Sequence, residues 1–241
     1  MQLTIIGPGR LGRTLFQLLD ARGASVRLVG RQAHLPSGTD LVLVTVPDSA
    51  ISEVVNAIPV GPMVVHTSGV QSLDVLQPHV RVGSFHPLMT FPGPEIAVPD
   101  LSRAYVAIDG DAAVRAMLTE LAAMLGLNPV HVPGDRRLYH AAAVLAGNLS
   151  TVLLALSGKL LAEAGVEPRT AREMLAPLAF DSLRNAIADP SRALTGPLVR
   201  QDHQTMAMHH AALAHIDADA ARELYSWFQQ HGRDVVNDTH R

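Results

Sequence analysis

An apolar run at residues 3–6 passes straight into Gly7-Pro8-Gly9-Arg10-Leu11-Gly12, and helical spacing begins inside that loop. Few local patterns restrict a fold so strongly. Between a strand and a helix, the first glycine permits a tight turn and the second lets a ligand approach the backbone. The third lets helix and strand pack closely. Leu11, Leu15, Leu18 and Leu19 form one helical stripe, ended by Arg22-Gly23, a basic residue before a C′ glycine. A second apolar run at 25–29 completes a β-α-β unit. Free N–H groups and the positive end of a helix dipole suit a diphosphate. Gly7, Pro8, Gly9, Arg10, Leu11 and Gly12 are therefore expected to hold the pyrophosphate of a dinucleotide.

The end of the second strand selects between NAD and NADP. An acid there would accept from the ribose 2′-hydroxyl and repel a 2′-phosphate. This chain reads Val29-Gly30-Arg31-Gln32, with no acid before Asp40, so Arg31 is expected to clamp the 2′-phosphate of NADP. The third apolar run ends in Val46-Pro47-Asp48, a rigid turn over the dinucleotide at the carboxyl edge where such sheets bind ligands. The fourth ends in His66-Thr67-Ser68-Gly69, which brings Ser68 and Gly69 near the nicotinamide and the substrate.

Further apolar runs at 80–85, 105–108 and 129–132, with a helix from 112 to 125, continue the alternation. The expected architecture is α/β: an N-terminal Rossmann domain with a mostly parallel sheet over residues 1–133. From 135 to 164 nothing breaks a helix, and helical stretches follow at 167–188, 200–215 and 217–231. Residues 134–241 are thus expected to form an all-α domain opened by one long helix.

A net charge of −3 argues against a broad nucleic-acid surface, and the absence of cysteine excludes disulfides and thiolate chemistry. The N-terminus has no signal-peptide pattern. The longest apolar candidate for a membrane span, residues 141–156, contains Asn148 and is short. A cytoplasmic protein that does not enter membranes is expected, and the Ala/Leu-rich helices suggest a homodimer. His203, His209, His210 and His215 lie close in sequence, but no carboxylate joins them at a ligand spacing, so no metal is expected.

His66-Thr67-Ser68-Gly69, Ser84-Phe85-His86-Pro87-Leu88, Leu138-Tyr139-His140-Ala141-Ala142-Ala143 with Ala146-Gly147-Asn148, and Leu194-Thr195-Gly196-Pro197 carry a family resemblance. Over essentially its whole length the chain resembles Rossmann-like proteins with a C-terminal DUF2520 domain. These sit within the superfamily of pyrroline-5-carboxylate reductase, ketopantoate reductase and β-hydroxyacid dehydrogenases. Similarity to ketopantoate reductases sets His140 where they carry a catalytic Lys, Val144 in place of one Asn, and Asn148 at the second. Residues 83–88 are similar instead to the Gly-x-His-Pro-Met segment of prephenate dehydrogenases.

Reduction of a C=O or C=N bond by NADPH needs a proton donor beside the developing anion. Imidazole exchanges protons near neutrality, which suits His140 or His86 to that role. Asn148 lies in an apolar stretch where an unpaired buried amide would cost about 1–3 kcal/mol, so it is expected to meet the substrate or a neighbouring helix. Arg136 or Arg137 could pair with a substrate carboxylate. Thr195 and Arg200 lie in a segment that closes over the active site in the related reductases. The expected activity is NADPH-dependent reduction of a small anionic keto or imine compound, ketopantoate-type reduction being the most concrete version. A prephenate-type NADP-linked dehydrogenase and a non-catalytic NADP(H)-binding regulator are the alternatives.

Overall fold

The computed structural model describes residues 1–31, 34–96, 99–216 and 218–237. Two compact units emerge, Met1–Gly147 and Asn148–Arg241.

In the first unit β1 (Leu3–Ile6), α1 (Arg10–Asp20) and β2 (Val26–Val29) form the opening β-α-β, followed by β3 (Leu41–Val44), α2 (Ile51–Asn56), β4 (Met63–His66) and β5 (Val82–Pro87). Then come β6 (Tyr105–Gly110), α3 (Ala112–Leu125), β7 (Asn128–His131) and α4 (Arg136–Val144). Among the described residues the sheet has seven strands in the order β2-β1-β3-β4-β5-β6-β7. All neighbours run parallel except β5 and β6.

The central strands are buried at every position and apolar at all but Thr4 and His66, because both faces of the sheet are covered. Leu3, Ile5, Leu41, Leu43, Met63 and Val65 join a core with Leu15 and Leu19 of α1 and Leu118 and Leu121 of α3. The alternate residues Ile6, Val42, Val44 and Val64 pack with Ile51, Val54 and Val55 of α2 on the opposite side. Helix α3 begins where Asp111 accepts from the Val114 N–H and stops at Gly126, whose φ of 77° is left-handed backbone that favours glycine.

Two sequence expectations change here. His86 and Pro87 lie inside β5, beyond the apolar run at 80–85, because the antiparallel partner extends the strand and sets His86 opposite Ala107. The sequence reading divides the chain at residue 133, whereas the compact units divide after Gly147. Helix α4 stays with the sheet, and its contacts with β4 and β5, described below, account for this.

A π-helical turn, Leu145–Leu149, leads from α4 into α5 (Ser150–Glu163). The second unit continues with α6 (Pro168–Ala188), α7 (Pro190–Ala193), α8 (His203–Ala214) and α9 (Asp219–Asn237). Glu167 caps α6 through the N–H groups of Arg169 and Thr170. None of the residues of α5 is buried, and α6 buries only Ala171. Val152, Leu153 and Leu154 of α5 and Met174, Leu178, Phe180, Leu183 and Ile187 of α6 are exposed. Helix continues through Asn148, so Arg136–Glu163 forms 28 residues long and apolar enough to cross a membrane by length and composition. That is longer than the apolar stretch the sequence suggests.

Candidate functional site

At the end of β1 the chain turns through Gly7, whose φ is 117° and whose N–H donates to Val29 O at 3.0 Å. A methyl group on Gly7 would lie 2.9 Å from the Thr45 carbonyl, and one on Gly12 would run into Gly7 O. Thr45 Oγ1 donates to that same oxygen at 2.8 Å. The back of the loop is thus closed by backbone. Its front is open: nothing lies within 4 Å of where a Gly9 methyl would stand. Pro8, Gly9 and Arg10 are exposed, Leu11 is half-buried, and no side chain caps α1. A loop closed behind and open before uncapped helical N–H groups fits a pyrophosphate. Arg31 is exposed just beyond β2. Val46 is buried and Pro47 exposed, at the start of a short 3₁₀ turn, Asp48–Ala50.

The end of β4 continues the same edge. Ser68 Oγ donates to Asp48 Oδ2 at 2.8 Å and accepts from the N–H groups of Val70 and Gln71. The Ser68 N–H donates to His66 Nδ1, and Ser68 O accepts from Arg136 Nη2 at 2.8 Å. Thr45 is thus tied to the glycine loop at the end of β3, and Asp48, Ser68 and Arg136 form a second chain of hydrogen bonds that reaches α4 at the same edge.

Arg136, Tyr139 and His140 occupy successive positions of one α4 face, three and four residues apart. Each of the three meets the strand ends. His86 Nδ1 and Tyr139 Oη are 2.7 Å apart. The His86 and His140 rings meet edge to face at 5.9 Å. Both imidazoles lie over Gly69, where a methyl group would run into His140 Cδ2 and come within 2.9 Å of His86 Nε2. Glycine is needed there for space.

Arg136 is 9% exposed, and its Nε and Nη1 are buried with no hydrogen-bond partner. Its guanidinium carbon stands 5.9 Å from the centre of the Tyr139 ring. No carboxylate lies within ion-pairing distance among the described residues. The alternative Arg137 is exposed and held by Asp135, the N-cap of α4, at 2.7 Å.

Burial dominates the electrostatics. It lowers the His86 pKa to about 4, aided by His140 and Arg136, and lowers His66 to about 4, aided by Arg136. Burial also raises the Tyr139 pKa and lowers that of Arg136. Near neutrality His66 and His86 are therefore uncharged, beside an arginine with no ion-pair partner among the described residues.

Of the sequence-predicted residues, Ser68, Gly69, His86, Arg136 and His140 converge in the first unit. Asn148, Thr195 and Arg200 belong to the second. Asn148 is exposed, so the burial cost expected for its amide does not arise in the chain by itself. The π turn also breaks the four-residue register that aligned it with His140. Thr195 and Arg200 are exposed, and Asp202 caps α8 through the Thr205 N–H. His209 and His210 are engaged by Tyr225 and Gln229. The sequence reading missed Tyr139, Asp48 and His66. The spacing of Tyr139 from Arg136 is the one signal that could have found it.

A family model described as a domain of unknown function, DUF2520, matches residues 104–231. The chain belongs to the DUF2520 family. No curated protein matches the sequence of this DUF2520 chain. Among solved structures it is similar to BF3122 from Bacteroides fragilis, whose name assigns it to the NADP oxidoreductases. The identity is 23% and the TM-score 0.82, over 97% of this chain and 98% of that one. The reductive aminase of Aspergillus terreus, solved with NADPH and ethyl levulinate, follows at 16% identity and TM-score 0.67, over 97% and 94%. Pyrroline-5-carboxylate reductase of Streptococcus pyogenes matches at 15% identity and TM-score 0.61, over 98% of both chains. At such identities these likenesses establish the fold, a Rossmann-like sheet followed by helices.

Proposed function

We propose that this DUF2520 protein is an NADPH-dependent reductase of a small keto or imine compound that carries a carboxylate. The observation that carries the reading is Arg136. A nearly buried guanidinium with two unpartnered nitrogens is costly unless an anion completes it. It donates to the Ser68 carbonyl, at the same sheet edge as the glycine loop.

NADP rather than NAD is supported by Arg31 in place of an acid. It is also supported by the names of BF3122 and of the reductive aminase, which was solved with NADPH. A carboxylate beside a reducible C=N is the chemistry in the name of the Streptococcus enzyme, and ketopantoate offers a carboxylate beside a C=O. When bound, the reduced nicotinamide supplies a hydride. Arg136 would hold the carboxylate, Ser68 and Gly69 would position the reducible group, and the imidazoles above Gly69 would stand ready as proton donors. The exposed apolar faces of α5 and α6 support a homodimer in which a second copy covers them, since the helical unit by itself buries few of its side chains.

Thermal denaturation with NADPH and NADH tests the cofactor, with a larger stabilisation expected from NADPH. No shift with either would sink the assignment. Oxidation of NADPH is then followed with ketopantoate, other 2-oxo acids and cyclic imino acids, each beside its ester. Turnover of acids but not esters is expected. Equal turnover would remove the carboxylate from the reading, and cofactor binding without turnover would favour a non-catalytic regulator.

A further inference from the structure

We propose that His86 delivers the proton in this reduction from Nε2, and that Tyr139 is the positioning residue that keeps the proton there. This rests on the reductase reading and adds to it which atom is the acid.

The geometry leaves little freedom. His86 Nδ1 faces Tyr139 Oη at 2.7 Å, and the orientation of that hydroxyl fixes the imidazole tautomer. Beyond the Tyr139 ring stands the Arg136 guanidinium, which has donors only. For the Tyr139 hydroxyl, Nδ1 is the one acceptor recorded among the described residues. Tyr139 therefore donates, Nδ1 accepts, and the remaining proton of a neutral His86 lies on Nε2. That nitrogen stands over Gly69, at the end of β4 where the substrate is proposed to sit.

The state of His86 agrees with this assignment. Burial, His140 and Arg136 hold it neutral, and a neutral imidazole has a defined tautomer whereas a cation has none. The titratable and charged groups around it are Tyr139, His140, Arg136 and, opposing them, Asp48.

In the step itself the substrate carbon receives a hydride from the reduced nicotinamide dinucleotide. The π pair of the C=O or C=N bond moves onto the heteroatom. The Nε2–H bond of His86 breaks as the new O–H or N–H bond forms. As Nε2 gives up its proton, the proton on Tyr139 passes to Nδ1 of His86; water then protonates Nε2 while Nδ1 returns its proton to the Tyr139 phenolate, restoring the Nε2–H form. The net proton comes from water, which leaves as hydroxide, so charge and protons balance.

The tautomer is read in the full-length protein, without cofactor or substrate, from the nitrogen chemical shifts of the ¹⁵N-labelled imidazole of His86. Wild type is expected to show the Nε2–H form and Tyr139→Phe a mixture. The Phe variant keeps the ring packing while removing the hydroxyl. In turnover, Tyr139→Phe is expected to lower kcat by about tenfold to a hundredfold with KM within about twofold. His86→Ala is expected to lose more, within the ~10²–10⁴ typical of a general acid. A wild-type Nδ1–H tautomer overturns the proposal whatever the activity. So does the expected tautomer shift in Tyr139→Phe with unchanged kcat. The Nε2–H form in a wild type that reduces no compound overturns the reductase reading, and the delivery role with it.

Discussion

Replacing Arg136 by Met tests whether the buried guanidinium waits for an anion or merely braces the fold. Two of its nitrogens are buried without partners, while Nη2 donates to Ser68 O at 2.8 Å. Each unpaired buried donor costs about 1–3 kcal/mol, and a hydrogen bond to a charged group contributes about 1.5–3 kcal/mol. Met fills a similar length, removes both unpaired donors and gives up one bond, orphaning the Ser68 carbonyl. With the orphaned carbonyl costing about another 1–3 kcal/mol, these effects nearly cancel, and the balance in the ligand-free protein is about zero, within about 3 kcal/mol either way. For a chain of this size each kcal/mol moves Tm by roughly 2–4 °C. Arg136→Met is therefore expected to melt within several degrees of wild type by calorimetry, rather than to lose the large stability that a bracing residue would take with it. With NADP⁺ present, pyruvate at a hundred times its Kd should stabilise wild type by about 2.7 kcal/mol and leave the variant unmoved. A variant destabilised by more than about 3 kcal/mol, yet stabilised by pyruvate as much as wild type, would show that Arg136 is a strut. The carboxylate site would then fall.

Gly69→Ala puts a methyl group against His140 and His86, an overpacking worth about 1–3 kcal/mol. It should lower turnover far more than NADPH affinity, and an unchanged kcat would dissociate the imidazoles from the reaction. Lowered histidine pKa values make stability depend on pH in a set direction. Because His66 falls from 6.5 unfolded to about 4 folded, its contribution is complete above the unfolded value and is lost as pH drops from there to about 4. Urea denaturation at pH 5 should therefore give about 2 kcal/mol less stability than at pH 7 from His66 alone. His66→Gln should flatten that slope, and an equally steep slope in the variant would remove His66 as its source. Phe180→Glu with Ile187→Glu on the exposed face of α6 should turn a dimer into a monomer by light scattering, and a monomeric wild type would refute the dimer.

The sheet was legible because its signals are local. Strands buried on both faces read as near-continuous apolar runs, and Leu3–Ile6, Leu41–Val44 and Met63–His66 are buried throughout, with Thr4 and His66 their polar exceptions. The glycine loop was legible for a related reason: Gly7 and Gly12 sit where a side chain would strike Thr45 or Gly7 itself, so steric exclusion writes them into the sequence. The end of β5 was not legible. Proline reads as a strand terminator, and only pairing with β6, from the far side of a long connection, carries the strand through His86 to Pro87. The π turn had no signal either, since Leu145 to Leu149 satisfy ordinary helical spacing.

The site divides along the same line. Ser68 and Gly69 could be placed because strand ends at one edge of a parallel sheet must converge. Arg136 and His140 could be placed on one helical face by their spacing. What spacing could not supply is which atoms that face meets. The choice between Arg136 and Arg137 is decided by Asp135, whose carboxylate neutralises Arg137 at the helix start and leaves Arg136 as the inward cation. The apolar neighbours of Asn148 suggest burial, yet Val144 and Leu145 are themselves exposed, so in the chain by itself an apolar sequence does not bring a buried amide. Beyond its spacing from Arg136, Tyr139 gives no signal, for the opposite reason: beside a histidine, a tyrosine reads as packing. Its meaning lies in a partner 53 residues away, His86, and that partner turns two weak acids on different elements into one directed donor.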